Sequence, residues 1–154
     1  MARKETWDLV KEYFKPREFD DPAYPNSGEQ IDDELLLKLY RLREETGWAI
    51  ITHWQVGGAI DVDGRYGHAP NSYHLLKNGA KAVDFHFKTN APVNLQIYYV
   101  LKQGFGGVGI YYDWHWNGKP LPVGFHVDVR PERDFVVWKR IHRQYIYIIS
   151  TKER

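Results

Sequence analysis

Apolar positions recur along this chain with two different periods, and the changes of period mark its elements. Trp7, Leu9, Val10, Tyr13 and Phe14 fall at helical spacing and stop before Pro16, which predicts a short amphipathic helix over residues 5–14. Residues 15–31 hold Pro16, Pro22 and Pro25 among Asp, Asn and Gly, the composition of a surface loop, with Phe14 and Phe19 to pin it. From Ile31 to Gly47 the period is helical again. Asp32 or Asp33 can cap the start, Leu35, Leu36, Leu39, Tyr40 and Leu42 form the stripe, and Gly47 takes the left-handed position after it. Trp48–Thr52 then reads as a buried strand.

Gly57–Asn71 is a long irregular segment, of a length that in a small domain is often functional. Lys81–Phe87 alternates like a strand and carries Asp84. Asn90 is placed to cap a further helix, with Pro92 in its first turn, Leu95, Ile97, Tyr98, Val100 and Leu101 behind it, and Gly104 closing it. Gly107–Tyr112 and Val123–Val129 read as partner strands joined by a hairpin loop, with Asn117-Gly118 as its turn. In the tail, Phe135–Trp138 and Tyr145–Ile149 are strand-like, although Ile141–Ile149 also fits a helix. No linker splits residues 1–154, and the mixture predicts one α+β domain.

Composition narrows the chemistry. The chain has 154 residues, 43% hydrophobic and 16% aromatic, enough for a real core. Six Trp and eleven Tyr serve mostly core and half-buried surface, and can also line a groove for a polar ligand. A net charge of +1 gives no electrostatic case for nucleic acid, and Lys139-Arg140 with Arg143 reads as a solvated face. The absence of cysteine excludes disulfides and thiolate zinc, so any metal must be held by His, Asp or Glu, and seven histidines are available. Neither an apolar leader core nor an apolar run of the ~20 residues that cross a bilayer is present. The expectation is a soluble protein, cytoplasmic as encoded and without membrane insertion; a mature secreted form or a phage product released by lysis would look the same.

Strand alternation puts His126 and Asp128 on one face of their strand, and by the same rule Asp84 and His86 share a face of theirs. His74 stands at the edge of the loop that returns to the Asp84 strand. Two imidazoles and a carboxylate, His74, His126 and Asp84, are a suitable ligand set for a catalytic zinc with an open position. Asp128, His86 and His115 are the candidate proton carriers. Asp128 is preferred as the catalytic base because it lies two residues from a ligand on the same face, and its other possible role is to orient a histidine. Taken singly, each of these residues has a commoner explanation as a surface or hydrogen-bonded side chain, as have His53 and His68.

Taken together, the two stretches resemble the zinc D-alanyl-D-alanine carboxypeptidase and murein endopeptidase family, whose fold is shared with the hedgehog signalling domain. Ser72, His74, Ala82 and Asp84 fit its first motif, led in by Gly67-His68-Ala69-Pro70-Asn71. Phe125, His126, Asp128 and Arg130 fit its second, after the matching strand Gly107–Tyr111. The likeness runs from Tyr13 to about Trp138. It implies a small antiparallel sheet with helices packed on one side, with His74, Asp84 and His126 as zinc ligands. It also implies Ser72 beside the substrate carboxylate, and cleavage next to D-amino acids in peptidoglycan stem peptides by a monomer.

Three departures stand out. His74 and Asp84 lie further apart than is usual, so the Lys77–Gly79 region must bulge. Where many members carry an acid before the last histidine, this chain has Val123. The usual arginine after the first strand is replaced by Thr52-His53-Trp54-Gln55, which leaves Arg65 from the long loop to bind the carboxylate. The competing readings are a zinc-containing binding module without catalysis and a metal-free structural domain, for instance of a virion.

Overall fold

A computed structural model describes residues 1–131 and 135–150. Its three helices are α1 (Lys4–Val10), α2 (Asp33–Thr46) and α3 (Val93–Lys102). Eight strands accompany them: β1 (Ala49–Thr52), β2 (Ala82–Lys88), β3 (Gly107–Tyr111), β4 (His115–Trp116), β5 (Lys119–Pro120), β6 (Gly124–Asp128), β7 (Val136–Ile141) and β8 (Gln144–Ser150). None of these helices is long and apolar enough to cross a membrane.

Helix α2 begins and ends where its sequence signals stand. The Asp32 carboxylate accepts the Leu35 N–H at 3.0 Å, and Gly47 closes the helix at φ 71°. Leu35, Leu36, Leu39 and Leu42 are fully buried, each contributing about 1.5–3 kcal/mol of transfer free energy. Phe14 and Phe19 pin the proline-rich loop as expected, with ring centroids 5.8 Å apart. Two helices differ from expectation. α1 ends at Val10 rather than Phe14. α3 starts at Val93 with Pro92, not Asn90, in the capping position, and it buries Gln96, whose amide donates to Ala91 O, while Leu95 and Tyr98 stay exposed.

The main sheet has the order β1-β2-β6-β3-β7-β8, and β4 with β5 forms the separate hairpin expected around Asn117-Gly118. The fold is α+β, but the sheet is mixed rather than antiparallel, because β3 and β7 run parallel. Topology imposes this. β6 runs antiparallel to β3, and the next strand in the chain returns on the far side of β3, so it must run with β3. Within Ile141–Ile149, the part from Gln144 is strand and not helix, as suits its run of β-branched and aromatic residues.

Alternation gives the sheet two different faces. Val83, Phe85, Phe87, Phe125, Val127, Val108 and Ile110 join α2 and Val100 of α3 in the core. Asp84, His86, His126, Asp128, Trp138 and Arg140 occupy the opposite face.

Asp32 also accepts an ion pair from Lys81 at 2.7 Å, and its backbone N–H donates to Ala80 O. The start of α2 is thereby tied to the residues that lead into β2. We expect Asp32→Ala to cost about 1–2 kcal/mol in chemical denaturation, and Asp32→Asn, which keeps the cap, to cost less.

Candidate metal centre

Two adjacent strands bring the candidate ligands together. β2 pairs antiparallel with β6 so that Asp84 lies directly opposite His126. On the other side of β6, Gly107 faces Asp128 and Gly109 faces His126. These glycines are required by close approach. A Cβ at Gly107 would meet the Asp128 carboxylate and the Arg130 guanidinium, and one at Gly109 would stand 2.7 Å from the Trp138 indole. Trp138 in turn lies against the His126 ring, centroids 5.2 Å apart.

His74 arrives from the loop. Asp61 N–H donates to His74 O and Leu76 N–H to Asp61 O, which fastens the loop to an inner turn. The extra length before β2 forms the expected bulge, a tight turn over Leu76–Asn78 with Gly79 at φ 101°. The Asn78 amide ties this turn to Pro70 O and Ser72 O.

The three ligand atoms form a nearly regular triangle. His74 Nε2 is 3.2 Å from His126 Nδ1, His126 Nδ1 is 3.0 Å from Asp84 Oδ1, and Asp84 Oδ1 is 3.2 Å from His74 Nε2. Tetrahedral zinc with bonds of 2.0–2.1 Å needs ligand atoms about 3.3 Å apart. The tautomers agree with that use. His74 Nδ1 lies 2.9 Å from Ala59 O, an acceptor only, so it carries the proton and Nε2 keeps its lone pair. His126 Nε2 lies 2.9 Å from Asp128 Oδ2, which leaves the Nδ1 lone pair to the triangle. Two imidazole lone pairs and a carboxylate oxygen at this separation repel one another unless a cation lies between them. The donor set therefore fits a divalent metal such as zinc.

Without a metal, the proton is the available cation. Burial opposes charge on His126, but hydrogen bonds to Asp128 and Asp84 and their negative charges outweigh it and push its pKa up to about 9. Burial likewise opposes charge on Asp84, and the His74 and His126 interactions win, holding its carboxyl well below the usual range. Asp128 is depressed in the same way, with burial overcome by Arg130 and His126.

A cleft of about 560 Å³ opens over the triangle, lined by His68, Ser72, Tyr111, Trp138, Arg130 and Arg140 among others. Ser72 lines this cleft, its hydroxyl accepting the His74 N–H at 3.2 Å. Asp128, expected as the base, also lines the cleft but is hydrogen-bonded to His126 and Arg130. Its side chain is 1% exposed, one oxygen is shared between His126 and Arg130, and the other accepts from Arg130 Nε at 2.8 Å. Arg65 does not line this cleft. Its guanidinium is held by Asp63 at 2.8 Å and lies over the Tyr24 ring. Arg140 is no solvated residue either; it lines the cleft, bonded to Asp113 at 2.9 Å and stacked over Tyr111.

The sequence reading passed over His68. Its ring stacks on His74 with centroids 4.3 Å apart, and its Nδ1 lies 2.8 Å from the fully buried Asp61. Burial and the nearby His74 lower its pKa against the pull of Asp61, which disfavours its charged form. Nothing in the sequence joins Asp61 to His68 except their common place in the glycine-rich loop. His53 and His86, beyond Asp84, bond to each other at 2.8 Å and are both buried, His53 lining a pocket with Asp84, and His115 is exposed on the hairpin.

No protein-family model, curated protein or solved structure matches this chain.

In metal-stripped protein, folded His126 keeps its proton up to about pH 9, whereas an unfolded imidazole loses it near 6.5. Its contribution to stability is complete below the unfolded value and is lost as pH rises through the folded one. The thermal midpoint of chelator-treated protein should fall between about pH 7 and pH 9, and His126→Gln should flatten that slope. A wild-type midpoint independent of pH over this range would contradict the assignment.

Proposed function

We propose that this chain is a zinc-dependent peptidase similar to the D-alanyl-D-alanine carboxypeptidases and murein endopeptidases, with a hedgehog-like variant of the α+β fold. Its substrates on this reading are peptidoglycan stem peptides, cut beside a D-amino acid. The observation that carries it is the closure of the His74, Asp84 and His126 triangle with both imidazole lone pairs turned inward.

His74 Nε2, Asp84 Oδ1 and His126 Nδ1 would hold the metal. When bound, zinc supplies Lewis acidity toward a carbonyl oxygen and lowers the pKa of water toward about 7. The chain's own groups do the rest. Asp128 fixes the tautomer of His126 and makes its ring a better donor, while Arg130 keeps Asp128 ionised. His68, braced by Asp61, takes the proton of the attacking water and returns it to the leaving amine nitrogen. Ser72 and Arg140 face the same cleft and bind the polar ends of the peptide. The commitment of Asp128 to His126 and Arg130 would favour the binding-module alternative if Asp128 were the sole base; the His68–Asp61 pair offers a second candidate and supports the peptidase reading.

Two substitutions separate the roles. His68→Asn should lower kcat by ~10²–10⁴-fold on muropeptides and leave the zinc content of the protein unchanged. Asp128→Asn should weaken zinc binding by ~10–100-fold. Protein that binds zinc but cleaves no stem peptide would be a binding module, and protein purified without chelator that carries no metal would be a metal-free domain.

Zinc and a proton compete for His126 Nδ1. Calorimetry in buffers of different ionisation enthalpy near pH 7 should therefore record about one proton released per zinc bound. Binding with no proton release would place the metal elsewhere.

A further inference from the structure

The cleft over the triangle does not end at Arg140. A second cavity of about 600 Å³ adjoins it, lined by Asp113, His115, Arg140, His142, Arg143 and Tyr145. Arg140 and Tyr145 line both cavities and form their common wall. Two guanidinium groups and two imidazoles line the second cavity, against a single carboxylate. That carboxylate is already committed. Asp113 Oδ1 accepts from Arg140 Nε at 2.9 Å, and Oδ2 accepts from the Arg143 backbone N–H at 2.7 Å. Asp113 therefore fixes one guanidinium and the tight turn that carries the other, where His142 and Arg143 stand at φ 51° and 65°. One unit of positive charge is left over. Arg140 is also held on its flat faces. Its guanidinium carbon lies 4.7 Å from the ring centroid of Tyr111, 5.7 Å from that of Tyr145 and 5.8 Å from that of Trp114, and its side chain is 22% exposed. Nη1 donates only to the Tyr145 hydroxyl, at 3.4 Å, and Nη2 makes no hydrogen bond among the described residues.

We propose that this second cavity is a subsite for an acidic residue within the peptide, whose side carboxylate is taken by the open Nη edge of Arg140 and by Arg143. The inference rests on the peptidase reading for the peptide nature of the ligand. A guanidinium presents paired donors that match the two oxygens of a carboxylate. Arg140 is set in place by Asp113 and three rings before any ligand arrives, so it gives up little freedom on binding. Its partial burial strengthens the pairing relative to one in open water. Arg143, exposed at the turn, adds charge at the same cavity. The position of Arg140 selects an internal acidic residue over a chain end. A site for a terminal carboxylate closes behind its cation, whereas here the space continues past Arg140 into a cavity of similar volume to the cleft. A glutamyl residue of a stem peptide, with one carboxylate free of the peptide chain, has the required form. The subsite thereby makes Arg140 a specificity-determining residue rather than a general clamp on polar ends.

Three versions of one stem peptide test this: with the glutamyl carboxylate free, with that carboxylate amidated, and with only the C-terminal carboxylate amidated. Calorimetry on chelator-treated whole chain reads binding without cleavage, and steady-state kinetics on zinc-loaded chain read kcat and KM. Amidating the glutamyl carboxylate should weaken binding and raise KM by ~10–100-fold, with kcat unchanged. Amidating the terminus should change little. Arg140→Gln should erase the preference for the free glutamyl carboxylate, and Arg140→Lys should restore part of it. Arg143→Gln on the exposed turn should reduce the preference by ~2–5-fold, with far-ultraviolet spectrum and zinc content unchanged. All three variants should bind the glutamyl-amidated peptide as the wild type does, which a merely structural role for these arginines would not give. Equal affinity for the free and glutamyl-amidated peptides, no binding of either, or sensitivity to the terminal carboxylate instead would overturn the proposal. Variants that weaken both peptides alike would overturn it too. A chain that discriminates between the peptides but cleaves neither would sink the peptidase reading and leave the subsite standing, while cleavage of both at equal kcat/KM would do the reverse.

Discussion

Asp84 and His126 face each other across β2 and β6 because a strand alternates its faces and an antiparallel register fixes which residues are opposite. A slip of β2 by one residue would turn Asp84 into the core and bring Val83 to the face of His126. The apolar partners of these residues therefore hold the geometry of the triangle. Val83, Phe85, Phe125 and Val127 are fully buried on the helix side, and they lock the register that Asp84 and His126 depend on. Core and site are the two faces of one pair of strands.

The site needs a second kind of support, since a histidine and two carboxylates on one sheet face repel or attract according to protonation. Asp128 and Arg130 supply it. A carboxylate that is 1% exposed is costly to bury alone, and the bidentate guanidinium with the imidazole offsets that cost. The result is a fixed ring orientation for His126. Gly107 and Gly109 make room for this arrangement on β3, where any larger residue would collide with the groups that orient the ligands.

Around the triangle, the cleft is built mainly from rings and guanidinium groups. Tyr111 and Trp114 stack at 4.3 Å, Arg140 lies over both, and Trp138 reaches His126. On the far side of Asp84 the buried His53–His86 pair stacks against Trp116. Burial and the neighbouring His86 push the His53 pKa down to about 4, so this flank brings no positive charge toward the site. The positive charge that lines the cleft comes from Arg130 and Arg140.

Local chemistry was legible in the chain. The cap at Asp32, the stop at Gly47, the turn at Asn117-Gly118 and the alternation around Asp84 and His126 are decided by neighbours within a few residues, and they stand where the sequence puts them. So is the choice of candidate ligands, because without cysteine only histidine and carboxylate remain. What lay beyond the sequence depends on contacts between distant segments. The parallel β3–β7 pair arises from the path of the chain around β3. The role of Asp128 is decided by the burial of both its oxygens, the separation of Arg65 from the cleft by its capture at Asp63, and the His68–Asp61 pair by a loop folding back on itself. The triangle belongs to this second group. Residues 74, 84 and 126 name the donors, but only the packed sheet brings their three lone pairs to within 3.2 Å of one another.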